Sequence, residues 1–270
     1  LCTKDTEVFC DSLNHASIYD GISLSGAKLN RYFHNDMEDL RKRLHASTSK
    51  EKLIITDTVF SMDGDRALLG DICDLAEQYS CMVMVDEAHG TGIFGPDGSG
   101  LTEESGVTDS VDIIMGTLSK AIAGLGGYCA VSKKLRDYFV NFCRSFIYST
   151  ALPHSVLAHN LSAIRYIRKN PGLGAKLLQK ADSFRAALHE FGFSTLNSTT
   201  QIIPCLMDTE EQALSASKLL RQNGIIIPAI RPPTVPNGTS RLRISVFLDL
   251  TGQQQHSIVD HLSQWKYHHE

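Results

Sequence analysis

The sequence lacks the features that would send it to several large classes of protein. Among its 270 residues no apolar run approaches the ~20 needed to cross a membrane, and nothing at Leu1 reads as a signal peptide. Charge of one sign is not in excess. The 26 basic and 30 acidic residues leave a net −4, which gives no electrostatic case for binding nucleic acid. The seven cysteines (Cys2, Cys10, Cys73, Cys81, Cys129, Cys143 and Cys205) form no Cys-x-x-Cys pair, so no structural zinc site or other metal centre is expected. Odd in number and scattered, several of them in apolar runs, they read as reduced thiols of a cytoplasmic protein. There is no internal repeat and no low-complexity tract. No G-x-x-x-x-G-K-[ST] phosphate loop occurs either, and without one Asp86-Glu87-Ala88-His89 does not make a helicase box.

What is present is an ordinary globular composition, 42% hydrophobic and 21% charged, with length for one large domain or two modest ones. Short apolar runs centred near residues 8, 54, 84, 113 and 129 read as strands. Helical patterns over Met37 to His45 and Leu68 to Tyr79 lie between some of them, so the class is α/β. A helix is also expected after Leu13-Asn14-His15-Ala16-Ser17, capped by Asn14 or Ser17. Helices over Leu135 to Arg144 and Ser155 to Lys169 follow, with a strand at Phe146 to Thr150 between them. Asn170-Pro171-Gly172 is the clearest boundary. It divides a larger domain, 1–169, from a smaller α+β domain, 170–270, with strands expected at 201–207, 225–230 and 241–245 and helices at 175–191, 210–223 and 253–265. Leu1 is not a methionine, and the chain reads as a piece already under way.

Two stretches carry chemistry. Met82 to Asp86 is a buried-strand pattern that ends in an acid and leads to His89. Ile113 to Thr117 is another, leading through Ser119 to Lys120. In open α/β sheets ligands bind at the carboxyl ends of strands, and the reading puts Asp86, His89, Thr117 and Lys120 there. A lysine beside buried surface should have a lowered pKa and a neutral amine able to form a Schiff base, although an isolated Ser-Lys is more often a surface pair. A converging carboxylate and lysine suit pyridoxal phosphate (PLP), the acid on the pyridine nitrogen and the amine on the aldehyde. His15 is either a ring laid over a cofactor or a capping histidine. Ser61 is either a cofactor contact or a serine in the Asp63-Gly64 turn. Arg241 and Arg243 share one strand face and are either solvated or a clamp for a carboxylate. Three prolines stiffen the loop Arg231 to Gly238.

Five separated strings occur in order: LNHAS at 13–17, FSMDGD at 60–65, DEAHGTG at 86–92, GTLSK at 116–120 and RPPTVPNGTSRLR at 231–243. Together they resemble the α-oxoamine synthases, a branch of the fold-type I PLP enzymes, over essentially the whole chain. The resemblance implies a mostly parallel central sheet flanked by helices. It places the family's N-terminal part, with its phosphate loop, ahead of Leu1. It implies PLP as cofactor and a decarboxylative condensation of an amino acid with an acyl-CoA or acyl-carrier thioester. By the same resemblance Lys120 is the Schiff-base lysine, Asp86 the partner of the pyridine nitrogen, His89 a neighbour of the ring hydroxyl and His15 the stacked histidine. Ser61 and Thr117 are further cofactor contacts, Thr117 near the phosphate. His15, Arg243 and Thr234 contact substrate. The segment Tyr148 to Thr150 reaches the cofactor of a second subunit, so a homodimer with a shared site is expected. Competing readings are glycine acetyl transfer from acetyl-CoA and a non-catalytic partner subunit with the same fold.

Overall fold

A computed structural model describes residues 1–268. The chain divides into two compact units. One comprises Leu1–Phe60 with Ala67–Gly174, and the other Ser61–Arg66 with the chain from Ala175 onward. The hexapeptide Ser61–Arg66 thus groups with the later part of the chain, a feature no single boundary near residue 170 contains.

The first unit opens with β1 (Thr6–Asp11), α1 (Ala16–Ser25), β2 (Lys28–Tyr32), α2 (Met37–Ala46) and β3 (Glu51–Asp57). It continues with α3 (Leu69–Tyr79), β4 (Met82–Asp86), a single turn α4 (Leu101–Glu104), β5 (Ile113–Thr117) and β6 (Gly127–Val131). It closes with α5 (Lys133–Phe142), a single turn α6 (Arg144–Ile147) and α7 (His154–Lys169). The six strands form one sheet in the order β2-β1-β3-β4-β5-β6. The first four pairings are parallel and β5 with β6 is antiparallel. Parallel strands buried on both faces need apolar side chains at successive positions, and VFC in β1 and LII in β3 supply them. In-register pairing puts Val8 and Cys10 on the same face as Leu53 and Ile55, where Ile18 and Ile22 of α1 complete a buried cluster. Phe9 and Ile54, both fully buried, point to the other face.

Two departures from the sequence reading have simple causes. β2 is an edge strand, paired only with β1, and only its Tyr32 is buried. The lysine and arginine of KLNRY suit an edge but hide the apolar alternation by which strands are recognised. The strand expected at Phe146 to Thr150 is instead the turn α6. Its backbone closes locally, with the amides of Ile147 and Tyr148 donating to the carbonyls of Cys143 and Arg144, and its side chains stay exposed.

The second unit holds α8 (Leu173–Glu190, which begins two residues before it), β7 (Ile202–Leu206), α9 (Glu210–Gln222), β8 (Ala229–Ile230), β9 (Arg241–Ser245) and α10 (Gly252–Tyr267). Its sheet is antiparallel, in the order β7-β9-β8. Thr209 and Thr251 each form a capping box, with Gln212 and Gln254, that fixes the start of α9 and α10. The strand expected over 225–230 shrinks to two residues. Ile225 closes back onto α9 through its amide to Leu220 O, and Pro228 has no amide to offer a neighbour. Gly64 docks against β7: a Cβ there would lie 1.9 Å from Ile202 O, and its φ is +69°. Only glycine meets both conditions.

Candidate active site

Three parallel strands of the first unit, β1, β3 and β4, each end in an aspartate: Asp11, Asp57 and Asp86. All three are buried. Asp11 is well satisfied, since its carboxylate accepts from the amides of Leu13 (2.8 Å) and Asn35 (2.9 Å) and meets His34 Nδ1 at 3.0 Å. Asp86 accepts from the Ala88 amide at 2.8 Å. Burial pushes its carboxyl above the usual range, and that amide, the Lys120 charge and the His15 ring pull it back. Lys120 and His15 therefore lie within electrostatic reach of Asp86, and three of the residues singled out in the sequence come together at the carboxyl edge of the sheet.

His15 is the N-cap of α1, so neither Asn14 nor Ser17 has that role. Its Nδ1 accepts from the Ser17 amide at 3.3 Å and lies 2.8 Å from Ser17 Oγ. The ring is exposed, which leaves its faces available. Asn14 instead ties the strands together: its Nδ2 donates to Ile55 O at 2.8 Å, and its Oδ1 accepts from the Asp57 amide at 2.8 Å.

Lys120 follows β5 by three residues. Its side chain is exposed, which corrects the expectation that buried surface flanks it. Acidic neighbours take that place, because Asp57 and Asp86 both feel its charge. The loop that carries it is tightly bound. Gly124 N donates to Leu118 O (2.7 Å), Ala123 N to Lys120 O (2.8 Å), and Asn160 Nδ2 of α7 to Leu125 O (3.0 Å). A Cβ at Gly124 would sit 1.8 Å from Asn160 Oδ1. Thr117, at the end of β5, places its Oγ1 2.7 Å from Ser119 Oγ and accepts from the Ser119 amide at 3.2 Å.

His89 lies half-buried in the turn after β4. That turn is held by Glu87, a fully buried carboxylate the sequence did not single out. Its Oε1 accepts from Thr102 N (2.7 Å) and Thr102 Oγ1 (2.5 Å), and its Oε2 from Thr58 Oγ1 (2.9 Å). Asp57, Glu87 and Asn160 are the polar residues the sequence reading missed. The partners that give them meaning lie in other elements; Asp57 and Asn160 belong to no recognisable string, and Glu87 sits inside DEAHGTG with nothing in the string to single it out.

Thr150 is exposed between α6 and α7. The remaining candidates belong to the second unit. Arg243 Nε donates to Ser61 O at 2.5 Å and its Nη1 to Ser245 Oγ at 2.8 Å. Burial draws the guanidinium below its ordinary pKa. Arg241 is only 3% exposed and pairs with Asp63 at 2.9 Å. It also donates to Met62 O and Thr239 O. The two arginines thus share a strand but differ in role, and Arg241 is a structural bolt. Thr234 is exposed in the proline-bearing loop.

The family model described as aminotransferase class I and II matches residues 1–262. The chain is 46% identical over 243 residues to an 8-amino-7-oxononanoate synthase of Geotalea daltonii, covering 88% of this chain and 62% of the relative. The chain spans somewhat less than two thirds of the length of the first curated relatives it matches. A solved structure of SPT with PLP as an internal aldimine superposes with a TM-score of 0.94 at 32% identity, over 99% of this chain and 68% of that one. The 8-amino-7-oxononanoate synthase structure from Francisella tularensis gives 0.87 at 27% identity, over 100% and 78%.

Proposed function

As the chain belongs to the aminotransferase class I and II family, we propose that it forms most of a PLP-dependent α-oxoamine synthase. In this reading the enzyme condenses L-alanine with a pimeloyl thioester, on CoA or a carrier protein, to give 8-amino-7-oxononanoate for biotin synthesis. The observation that carries it is the grouping of Lys120, Asp86 and His15 at the carboxyl edge of the sheet, in a chain whose curated relatives bear that enzyme's name.

The donor set fits the cofactor. Asp86 is a buried carboxyl whose neighbours do not outweigh its burial, so it stays above its usual pKa, and a protonated pyridine nitrogen is a cation that would complete the balance. When bound, PLP supplies an electron sink for carbanion chemistry. Asp86 would hold the ring nitrogen protonated. Lys120 Nζ would bind the aldehyde carbon and would serve as the base that moves the Cα proton. His15 would cover the ring, His89 would serve its hydroxyl, Ser61 would be a further contact and Thr117 would serve the phosphate. Arg243 and Thr234 take the substrate, Arg243 as a partner for its carboxylate.

A homodimer that shares its sites, with Thr150 serving the partner's cofactor, accords with the apolar side chains that α5–α7 leave exposed. Phe142, Phe146, Leu157, Leu161 and Tyr166 are among them, and Tyr148 is 73% exposed. Patches of this kind mark association surfaces. Among the described residues no helix is long and apolar enough to cross a membrane.

The test uses the full-length protein. PLP should give a visible absorption band, and borohydride reduction should fix the cofactor on Lys120 in a peptide map. L-Alanine with pimeloyl-CoA should then turn over faster than glycine with acetyl-CoA. Serine with palmitoyl-CoA is the second comparison, because serine palmitoyltransferase structures share the fold at 31–32% identity. Label on another lysine would overturn the site assignment. Preference for glycine or serine would overturn the substrate assignment alone.

A further inference from the structure

β3 and β4 end in register, Asp57 opposite Asp86. In a parallel pair, residues in register present their side chains to the same face, so two buried carboxyls stand side by side at the edge where the site is built. Asp57 also reaches the start of α1. Its Oδ2 accepts from the His15 amide at 3.1 Å, while its own amide donates to Asn14 Oδ1. Its Oδ1 is buried with no hydrogen-bond partner among the described residues. An ionised carboxylate would keep a charged, buried oxygen without a hydrogen bond next to a second acid, at a greater cost than a neutral carboxyl.

We propose that Asp57 is a positioning residue of this site, a neutral carboxyl that fixes the backbone of His15 and leaves Asp86 as the acid that answers the cofactor. Only the last clause rests on the PLP reading. The groups facing Asp57 are Asp86 from β4, Cys10 and Asp11 from β1, His15 ahead of α1 and Lys120 beyond β5. Burial first, and the Asp86 charge next, push Asp57 well above the usual carboxyl range, against the His15 amide and Lys120. With Asp57 carrying the proton, Asp86 is free to ionise when a cation arrives. The sharing of roles between the two acids follows the general rule that neighbouring carboxyls do not both ionise.

The experiment compares the full-length wild type with Asp57→Asn and Asp57→Ala. Infrared spectra of the cofactor-free proteins at neutral pH should show the carbonyl band of a protonated carboxyl in the wild type and its loss in Asp57→Asn. The amide resonance of His15, read by NMR on the same samples, should stay in place in Asp57→Asn, whose side-chain oxygen still accepts, and shift in Asp57→Ala. The dissociation constant for PLP should change less than about threefold in Asp57→Asn and rise about tenfold or more in Asp57→Ala, the scale of one lost hydrogen bond. No carboxyl band removed by Asp57→Asn, or an unmoved His15 amide in Asp57→Ala, would overturn the proposal. Should Asp57→Ala not fold, the infrared band and the His15 amide of Asp57→Asn decide it. If the band and the amide behave as expected while no variant binds PLP, the positioning role stands and the cofactor reading falls.

Discussion

Two buried charged groups, Arg241 in the second unit and Asp57 in the first, are answered in opposite ways. In the second unit Arg241 is buried with its ion-pair partner Asp63 and two backbone acceptors. In the first unit Asp57 keeps a buried oxygen without a partner among the described residues, and both Asp57 and Asp86 are held above their ordinary pKa. A charge that finds its partners within the fold serves stability, whereas acids the fold leaves poorly answered mark a candidate site. The contrast is sharpest inside the first unit, where Glu87, one residue after Asp86, is answered on both oxygens.

Substitutions can break this contrast, because the two kinds of site should fail in different measurements. The largest effect belongs to Lys120→Ala. In the proposed assignment it would remove the anchoring amine and a positioned proton carrier, so the proposed turnover of the full-length protein should fall by at least ~10²–10⁴-fold. Its unfolding free energy should change by less than about 0.5 kcal/mol, because the side chain is exposed. Arg241→Met should do the reverse in a urea titration. It strands Asp63 and loses about 3–5 kcal/mol of stability, as removal of one partner of a buried pair does. Glu87→Ala leaves the Thr102 hydroxyl and amide without their acceptor, and leaves the Thr58 hydroxyl only Asp86 O. It should cost about 1–3 kcal/mol in the same titration.

The smallest effect is one of slope. The folded state raises the Asp57 pKa, so between the unfolded value and the folded one the native protein holds a proton that the unfolded chain has released. Stability from this group is therefore full below the ordinary carboxyl pKa of about 4 and declines as pH rises beyond it. Asp57→Asn removes that decline. Urea midpoints measured from pH 4 to pH 8 should fall less steeply in the variant than in the wild type, and parallel lines would contradict a raised pKa.

Much of the fold was legible because its strands obey one rule. Runs such as VFC, LII and MVMV are apolar at successive positions, as a sheet covered on both faces demands. β9 is bounded as expected, and the two threonine-led helices α9 and α10 lie within two residues of their expected ends. What escaped was structure made by neighbours distant in sequence. β2 is a strand because β1 lies beside it, and the residues of α6 were read as a strand although no sheet takes them. The strings that carried Lys120, Asp86 and His15 were readable as strings. Asp57 was not, because its meaning comes from register with Asp86 and from an amide 42 residues earlier in the chain.

The grouping of Ser61–Arg66 with the later residues has a consequence for anyone who would divide this protein. The path leaves the first unit after Phe60, returns at Ala67 and leaves it again after Gly174, so the chain crosses between the units three times. A gene fragment beginning at residue 175 would encode Arg241 without Asp63 and Ile202 without the glycine that lies against it. The second unit is therefore not a cassette that recombination could lift out in one contiguous stretch, and any transplant of it must carry those six earlier residues along.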